Sequence, residues 1–227
     1  MKIGGLQKVS FIDYPGKMAA IIFTMGCNFR CPYCHNPELV DETGTLLDID
    51  AVCTFLEHRK NILDAVTITG GEPTLQSDLF PFIQKIKDMG YLVKLDTNGT
   101  HPEVIEALMS EHLVDYIAMD IKGPLREYEK TTARPVDTNA IRRSIALLME
   151  GTIPYEFRTT VVKSLLTPED LNEIGGDIQG ARLYYLQKFV PNKTLNPAFL
   201  RKTTYTDDEF ETMRRMMETY VTTCALR

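Results

Sequence analysis

The feature that most constrains this chain is a short loop that carries three of its five cysteines. The three are Cys27, Cys31 and Cys34, and they directly follow an apolar run of the kind that forms a buried β-strand. An odd number of cysteines, with three on one loop, indicates a metal or redox site and not a disulfide framework. Cys53 and Cys224 stand apart, and we interpret each as a small buried apolar residue.

Length and charge exclude several classes of protein. A chain of 227 residues can bury a core large enough for one domain without disulfides. The net charge of −6, with acidic and basic residues interspersed, argues against a nucleic-acid surface. No apolar signal core begins the chain, and no run approaches the roughly 20 apolar residues that span a bilayer. We expect a single cytoplasmic domain over residues 1–227, with a core at about 18–190 and an irregular segment and helix at 191–227.

Hydrophobic periodicity predicts six units of a strand followed by a helix. The predicted strands are 18–25, 65–69, 91–95, 116–119, 155–162 and 182–189. The predicted helices are 50–59, 77–89, 102–111, 138–150 and two that begin at 167 and 206, while 124–135 is predicted to be a polar loop. Such units imply an α/β fold with a parallel sheet and right-handed crossovers. Six are too few to close a barrel of about 250 residues, so we predict a three-quarter βα barrel, with a doubly wound open sheet as the alternative.

Residues that periodicity does not explain follow the predicted strands. The cysteines follow the first strand, and the next three strands are followed by Gly70-Gly71-Glu72-Pro73, Asp96-Thr97-Asn98-Gly99 and Asp120-Ile121-Lys122-Gly123. In a parallel βα barrel the carboxyl ends of the strands share one rim, where such folds place their sites. The sequence therefore predicts that these four motifs converge.

The three thiols admit two interpretations. A zinc site completed by His35 or a distant histidine is one, but structural zinc usually takes two separated pairs of ligands and no second pair is present. Alternatively, three thiolates ligate three corners of a [4Fe–4S] cluster and leave one iron without a protein ligand. That iron could bind a substrate or cofactor. Tyr33, directly before Cys34, would then shield one side of the cluster, or it is an ordinary partly buried aromatic residue.

The combination of Cys27-x-x-x-Cys31-x-Tyr33-Cys34 with Gly70-Gly71-Glu72-Pro73 resembles the radical S-adenosylmethionine (SAM) superfamily. Within it, the segment from Val9 to Gly16, together with Cys34-His35-Asn36-Pro37 and Asp96-Thr97-Asn98-Gly99, resembles the activating proteins of anaerobic ribonucleoside-triphosphate reductases. This resemblance implies a [4Fe–4S] cluster that cleaves SAM reductively to methionine and a 5′-deoxyadenosyl radical. The radical would abstract hydrogen from a glycine of the reductase.

The resemblance, strongest over residues 4–123, also implies which residues contact SAM. It assigns the methionyl amino group to Glu72 and its neighbouring backbone, where two glycines let the chain approach a ligand without a Cβ. A plain tight turn is the alternative. It assigns the zwitterion to Asp96 and Lys122, for which an ion pair at the rim is the alternative. Asp96, Thr97 and Asp120 further resemble a monovalent-cation site of some activases. The cofactor-binding set expected so far is Tyr33, Gly70, Gly71, Glu72, Pro73, Asp96, Asn98 and Lys122.

Two residues of later strands complete the candidate set. Arg158 interrupts an apolar strand and is predicted to face the interior, where an unpaired arginine is costly, so a role in the site is favoured. Gln187 lies near the end of the sixth predicted strand and is expected to approach SAM. No side chain need act as acid, base or nucleophile.

The expected partners follow from what the chain lacks. Some glycyl-radical activases carry an inserted ferredoxin-like domain with eight further cysteines, whereas this chain has only Cys53 and Cys224 to spare. Electrons are therefore expected from an external donor such as a flavodoxin or ferredoxin. Three other functions stay open: activation of another glycyl-radical enzyme, small-molecule chemistry such as that of 7-carboxy-7-deazaguanine synthase, and a non-catalytic zinc- or cluster-binding module.

Overall fold

A computed structural model describes all 227 residues of the chain. The strands are β1 (Ile3–Ser10), β2 (Ala19–Thr24), β3 (Ala65–Gly70), β4 (Leu92–Thr97), β5 (Tyr116–Asp120), β6 (Tyr155–Val161), β7 (Leu183–Lys188) and β8 (Thr223–Leu226). The helices are α1 (Pro37–Val40), α2 (Ile49–His58), α3 (Leu79–Asp88), α4 (Pro102–Ser110), α5 (Tyr128–Thr132), α6 (Thr138–Glu150), α7 (Pro168–Asp177) and α8 (Asp207–Met217). Short 3-10 turns cover Pro73–Leu75, Leu125–Glu127 and Pro197–Arg201. No helix combines the length and the apolar character needed to cross a membrane.

The eight strands form one sheet whose order follows the chain from β1 to β8. The strand β1 is antiparallel to β2, whereas β2, β3 and β4 pair in parallel, as do β6, β7 and β8. Because β1 and β8 stand at the two ends of the order, the sheet is open. The predicted α/β class with an open parallel sheet is confirmed, and the order is that of an unclosed βα barrel. The doubly wound alternative is wrong, since it requires a reversal of strand order.

The six predicted strands correspond to β2 through β7, and two further strands were not predicted. The strand β1 contains two glycines and exposes three successive residues, so it has no clear period of two. The strand β8 has only four residues. It lies in the segment 191–227, which was expected to hold only a helix and irregular chain.

The prediction of a polar loop over 124–135 is wrong in part. The structure places a 3-10 turn and α5 there, and it buries Tyr128, Thr131 and Thr132. Both threonine hydroxyls donate to the carbonyl oxygen of Tyr128, at 2.9 and 3.0 Å. These hydrogen bonds let polar side chains be buried at low cost, which the composition alone does not indicate.

The contacts within the chain define two compact units, which we describe separately. The first comprises Met1–Asn28, Glu38–Thr97 and Glu103–Ala118, and the second comprises Phe29–Pro37, Asn98–Pro102 and Met119–Arg227. The single-domain organisation expected from the sequence stays a prediction.

A small apolar cluster fills one face of the sheet in the first unit. Ala19, Ala65 and Leu92 are in register on β2, β3 and β4, and the rings of Tyr14 and Tyr116 pack against them. The two ring centroids lie 5.7 Å apart. Because side chains alternate along a strand, the residues two and four positions beyond Leu92 project from this same face.

Candidate functional site

The cysteine loop begins at the end of β2 in the first unit and continues into the second. None of the five cysteines of the chain forms a disulfide. Cys31 is buried, whereas Cys27 and Cys34 are partly exposed. Nowhere does the structure bring three or more His, Cys, Asp or Glu side chains close enough together to hold one metal ion. The three loop thiols therefore lie apart here, which applies to the zinc and the cluster interpretations alike.

The second half of the loop is held by the segment that follows β7. The amide of Leu195 donates to the carbonyl oxygen of Cys34, and the amide of Asn196 donates to that of Pro32, both at 2.9 Å. His35 Nε2 donates to the carbonyl oxygen of Val190 at 2.8 Å. We name this segment, residues 189–196, the loop clasp, because its backbone fixes the position of Cys34.

Aromatic rings of the second unit complete the clasp. The His35 ring stacks on Phe189 with an interplanar angle of 7°, and the Tyr33 ring meets Phe189 edge-on. Tyr33 is 4% exposed, and its buried hydroxyl lies close enough to the Cys31 thiol to help lower the pKa of that thiol. The tyrosine therefore packs directly beside the buried cysteine of the loop.

The glycines of the Gly70-Gly71-Glu72-Pro73 motif have a structural cause that the sequence did not reveal. A Cβ added at Gly71 would lie 1.9 Å from the carbonyl oxygen of Gly26, and one added at Gly70, whose φ is +111°, would lie 2.5 Å from the amide nitrogen of Thr24. The amides of Gly71 and Glu72 donate to the carbonyl oxygens of Thr24 and Gly26, both at 2.8 Å. The close approach seen here is therefore to the start of the cysteine loop.

Glu72 is a buried carboxylate held by hydroxyl and amide groups. Its Oε1 accepts hydrogen bonds from the Thr74 amide at 3.1 Å, from Thr74 Oγ1 at 2.6 Å and from Thr97 Oγ1 at 2.8 Å. Pro73 is buried and starts the 3-10 turn. The structure thus brings together two motifs predicted to converge, those that follow β3 and β4.

Asp96 is buried at the end of β4, and its carboxylate bonds to the ammonium of Lys94. Lys94 is 1% exposed and was missed as a candidate. A signal for it existed, because Lys94 and Asp96 are two positions apart on one strand and so share a face. Asn98 Oδ1 accepts from the amide and hydroxyl of Thr100, which is a local turn interaction.

Lys122 and Arg158 both bind Asp120 in the second unit. Lys122 Nζ lies 3.0 Å from Asp120 Oδ2, and Arg158 Nε lies 2.9 Å from Oδ1. Burial alone would raise the pKa of Asp120, but the Arg158 and Lys122 charges outweigh it and hold the pKa at about 2. The same pairing with Asp120 raises the pKa of Lys122 well above its usual range, against the opposing effect of burial. Arg158 thus has the partner that its interior position requires.

Charges near Cys31 decide how readily it could become a thiolate. Burial raises the pKa of Cys31 to about 11, while the Lys122 ammonium acts to lower it. Lys122 is therefore close enough to act on a thiol of the loop as well as on Asp120. Gln187, in contrast, shows only a 3.4 Å hydrogen bond from Thr160 Oγ1, and the structure links it to none of the other candidates.

Comparison with known proteins identifies the family to which the chain belongs. The model of the Radical SAM superfamily matches residues 21–177. The chain belongs to the radical SAM superfamily. Members of that superfamily use a [4Fe–4S] cluster and SAM. Three thiols on one loop that form no disulfide, with the charge of Lys122 acting on the most buried of them, are a donor set that fits such a cluster.

Relatives narrow the assignment to the activating enzymes. The chain is 33% identical over 230 residues to a protein of Methanocaldococcus jannaschii named "Putative glycyl-radical enzyme activating enzyme MJ1227", a match that covers 99% of this chain and 95% of that protein. It is 34% identical over 102 residues to the pyruvate formate-lyase-activating enzyme of Staphylococcus aureus, covering 42% of this chain and 37% of that one. The chain is therefore a homologue of glycyl-radical enzyme activating enzymes.

A solved structure of low sequence identity shares the fold. SuiB of Streptococcus suis bound to S-adenosylmethionine aligns with a TM-score of 0.68 at 13% identity, covering 91% of this chain and 49% of that one. At this identity the likeness extends to the fold alone.

Proposed function

We propose that this protein activates an anaerobic ribonucleoside-triphosphate reductase by abstracting hydrogen from one of its glycines. The observation that carries the proposal is the near-complete alignment with a protein named as an activating enzyme, in a chain whose three loop thiols form no disulfide. The choice of reductase rests on the resemblance of Val9 to Gly16 and of Asp96 to Gly99 to the activases of that enzyme. Activation of pyruvate formate-lyase is the second candidate, favoured by the local match to its activating enzyme.

Cys27, Cys31 and Cys34 would hold three irons of the cluster and leave one for SAM. When bound, the cluster supplies one electron to the sulfonium of SAM. The protein's part at this position is electrostatic and steric. Lys122 favours the thiolate of Cys31 against the cost of burial, and the loop clasp fixes the backbone of Cys34.

Glu72 is the residue proposed to receive the methionyl amino group. Its Oε1 is fixed by Thr74 and Thr97, so the carboxylate has little freedom to rotate. A side chain that is already oriented loses less conformational entropy when a ligand binds. The hydroxyl of Thr97 is thereby a support for the recognition of SAM.

Lys122 is proposed to contact the carboxylate side of SAM, and Arg158 is proposed to position it by sharing the partner Asp120. Because Asp120 stays ionised, it stabilises the charged form of Lys122 and pairs with the guanidinium of Arg158. Pro73 is buried and has a structural role. Asn98 and Gln187 are proposed to approach SAM on the basis of the sequence resemblance to glycyl-radical activases. Electrons would come from an external flavodoxin or ferredoxin.

The decisive experiment is glycyl-radical formation. Reconstituted, reduced protein and SAM are mixed with either an anaerobic ribonucleotide reductase or pyruvate formate-lyase, and the glycyl doublet is measured by electron paramagnetic resonance. We expect the doublet with the reductase. A doublet only with the lyase would reassign the partner, and deuterium transfer from a small molecule with no protein partner would favour the small-molecule chemistry.

Variants of the cysteines provide the control. Replacing Cys27, Cys31 or Cys34 by Ala should abolish SAM cleavage, whereas Cys53→Ala should leave it unchanged. Iron and sulfide analysis after anaerobic reconstitution separates the enzyme from a zinc module, which would retain zinc and show no visible absorption bleached by reductant.

A further inference from the structure

Lys94 is a lysine buried inside the first unit. It lies in the middle of β4 between Val93 and Leu95 and is 1% exposed. A lysine is almost never fully buried unless it is paired. Its ammonium bonds to Oδ1 of Asp96, a carboxylate that is itself 9% exposed. The pair therefore places a fixed positive charge beside one of the residues proposed for the SAM site.

The ammonium of Lys94 also lies near an aromatic ring. Its Nζ lies 5.9 Å from the ring centroid of Tyr116, within the range of a cation–π interaction, and the ring of Tyr14 packs against Tyr116. The residue in register on β3 is Thr67, whose hydroxyl is buried without a hydrogen-bond partner. The carboxylate that bonds the Lys94 ammonium is that of Asp96.

The position of Lys94 bears on the monovalent cation suggested by the resemblance. A sodium or potassium ion on Asp96 would require its carboxylate oxygens, and Oδ1 already accepts the Lys94 ammonium. Two cations a few ångströms apart repel strongly where water is excluded. In the second unit, both oxygens of Asp120 likewise bind cationic side chains, at 2.9 and 3.0 Å. The carboxylates expected to bind a metal cation are thus already neutralised by the protein.

We propose that the Lys94 ammonium is a built-in substitute for a monovalent cation at Asp96, so that this protein binds SAM without one. Lys94 is then a positioning residue, because it acts on SAM through Asp96. The SAM measurement below rests on the proposed function, whereas the measurement on the protein without cofactors does not.

The first experiment uses the protein without cluster or SAM. Thermal unfolding is followed in choline chloride and in potassium or sodium chloride at equal ionic strength. The wild-type midpoint should be the same in all three salts. Lys94→Met should lower the unfolding midpoint in choline chloride. In potassium or sodium chloride the midpoint of this variant should be higher than in choline chloride, because the metal cation can then reach Asp96.

A matched control is available in the same unit. Lys87 binds both oxygens of Asp115 at 2.8 and 2.7 Å but makes no contact with Asp96. The Lys87 and Asp115 side chains are 23% and 26% exposed, so water can solvate the Asp115 carboxylate after Lys87→Met and the midpoint should fall by the same amount in every salt. A cation effect confined to Lys94→Met would support the substitution, whereas the same effect in both variants would overturn it.

The second experiment measures SAM affinity of the reconstituted protein by equilibrium dialysis in the same salts. The SAM affinity of the wild type should agree within about twofold between choline chloride and potassium chloride. Lys94→Met should lower the SAM affinity about tenfold in choline chloride, which corresponds to about 1.4 kcal/mol. In potassium chloride this variant should regain most of the lost affinity. A tenfold dependence of the wild type on potassium would overturn the proposal.

Failure of Lys94→Met to fold and failure of SAM to bind have different consequences for the proposal. Should Lys94→Met fail to fold, the double variant Lys94→Met with Asp96→Asn removes both charges and should fold, with a midpoint that no cation changes. A cation-dependent midpoint in the double variant would contradict the assignment of the effect to Asp96. Should no variant bind SAM in any salt, the proposed function fails, and the unfolding measurements alone still decide the role of Lys94.

Discussion

Gly71→Ala tests whether the second glycine of the Gly70-Gly71-Glu72-Pro73 motif serves the protein backbone or a ligand. The added Cβ would lie 1.9 Å from the carbonyl oxygen of Gly26, whereas ordinary contacts begin at 3.4 Å. The two segments must therefore separate by about 1.5 Å, which is the difference between those distances. Such a shift breaks or lengthens the hydrogen bonds from the Gly71 and Glu72 amides to Thr24 and Gly26.

The size of the effect follows from these bonds. Each buried backbone hydrogen bond is worth about 1 kcal/mol net, and leaving its groups unsatisfied costs about 1–3 kcal/mol. We expect Gly71→Ala to lower the free energy of unfolding by about 2–4 kcal/mol, within the range that strained core substitutions produce. Urea unfolding of the protein without cluster or SAM measures this directly.

The control is Gly176→Ala, at a helical glycine of α7 whose added Cβ would meet nothing within 4 Å. It should be neutral or stabilise the protein by up to about 1 kcal/mol, because alanine is the better helix former. If Gly71→Ala unfolded at the wild-type urea concentration and lost only SAM binding, the glycine would serve the ligand, and the backbone explanation would be refuted.

Four further predictions address other parts of the site. Thr97→Val should weaken SAM binding and cost about 1 kcal/mol of stability by removing the hydroxyl that bonds Glu72, while Thr97→Ser should retain both, as dialysis and urea unfolding can show. The pKa of Asp120 is lowered from 3.8 to about 2 in the folded protein. Its stabilising contribution of about 2 kcal/mol is therefore present above pH 4 and is lost as the pH falls through 2. Asp120→Asn should remove this part of the pH dependence of the free energy of unfolding. His35→Ala should speed the bleaching of the cluster absorbance in air, because it removes the contacts of the cysteine loop with Val190 and Phe189 of the loop clasp. His58 is exposed on the surface, so His58→Ala should not change the bleaching rate. Arg227→Met should lower the free energy of unfolding in urea by about 3–5 kcal/mol, because the buried Glu156 carboxylate loses both hydrogen bonds from Arg227. Unchanged stability would contradict this and show that other groups satisfy the Glu156 carboxylate.

Most of the sheet could be predicted from the sequence because short apolar strands and amphipathic helices have distinct periods. The strands β2 to β7 follow from that pattern, and the helices predicted to begin at 167 and 206 are confirmed as α7 and α8, each capped by its threonine. The strands β1 and β8 could not be predicted, because a glycine-containing, partly exposed strand and a four-residue strand have no period to detect.

The candidate site was predictable in its residue types and less so in its pairings. Spacing alone identified the three cysteines, and the acidic and basic residues after the strands were recognised as candidates. Which charges bind one another depends on which side chains share a face and lie in register. Asp96 thus binds Lys94, while Asp120 binds both Lys122 and Arg158.

By itself the sequence determined that thiols and charged groups follow the ends of parallel strands, because hydrophobic periodicity and residue chemistry are local properties. Only the tertiary structure decided what holds them in place. The glycines of the Gly70-Gly71-Glu72-Pro73 motif meet the start of the cysteine loop, the loop clasp comes from more than 150 residues away in the chain, and the cation at Asp96 is a lysine. Contacts of this kind join residues that are distant in sequence, so no local pattern records them.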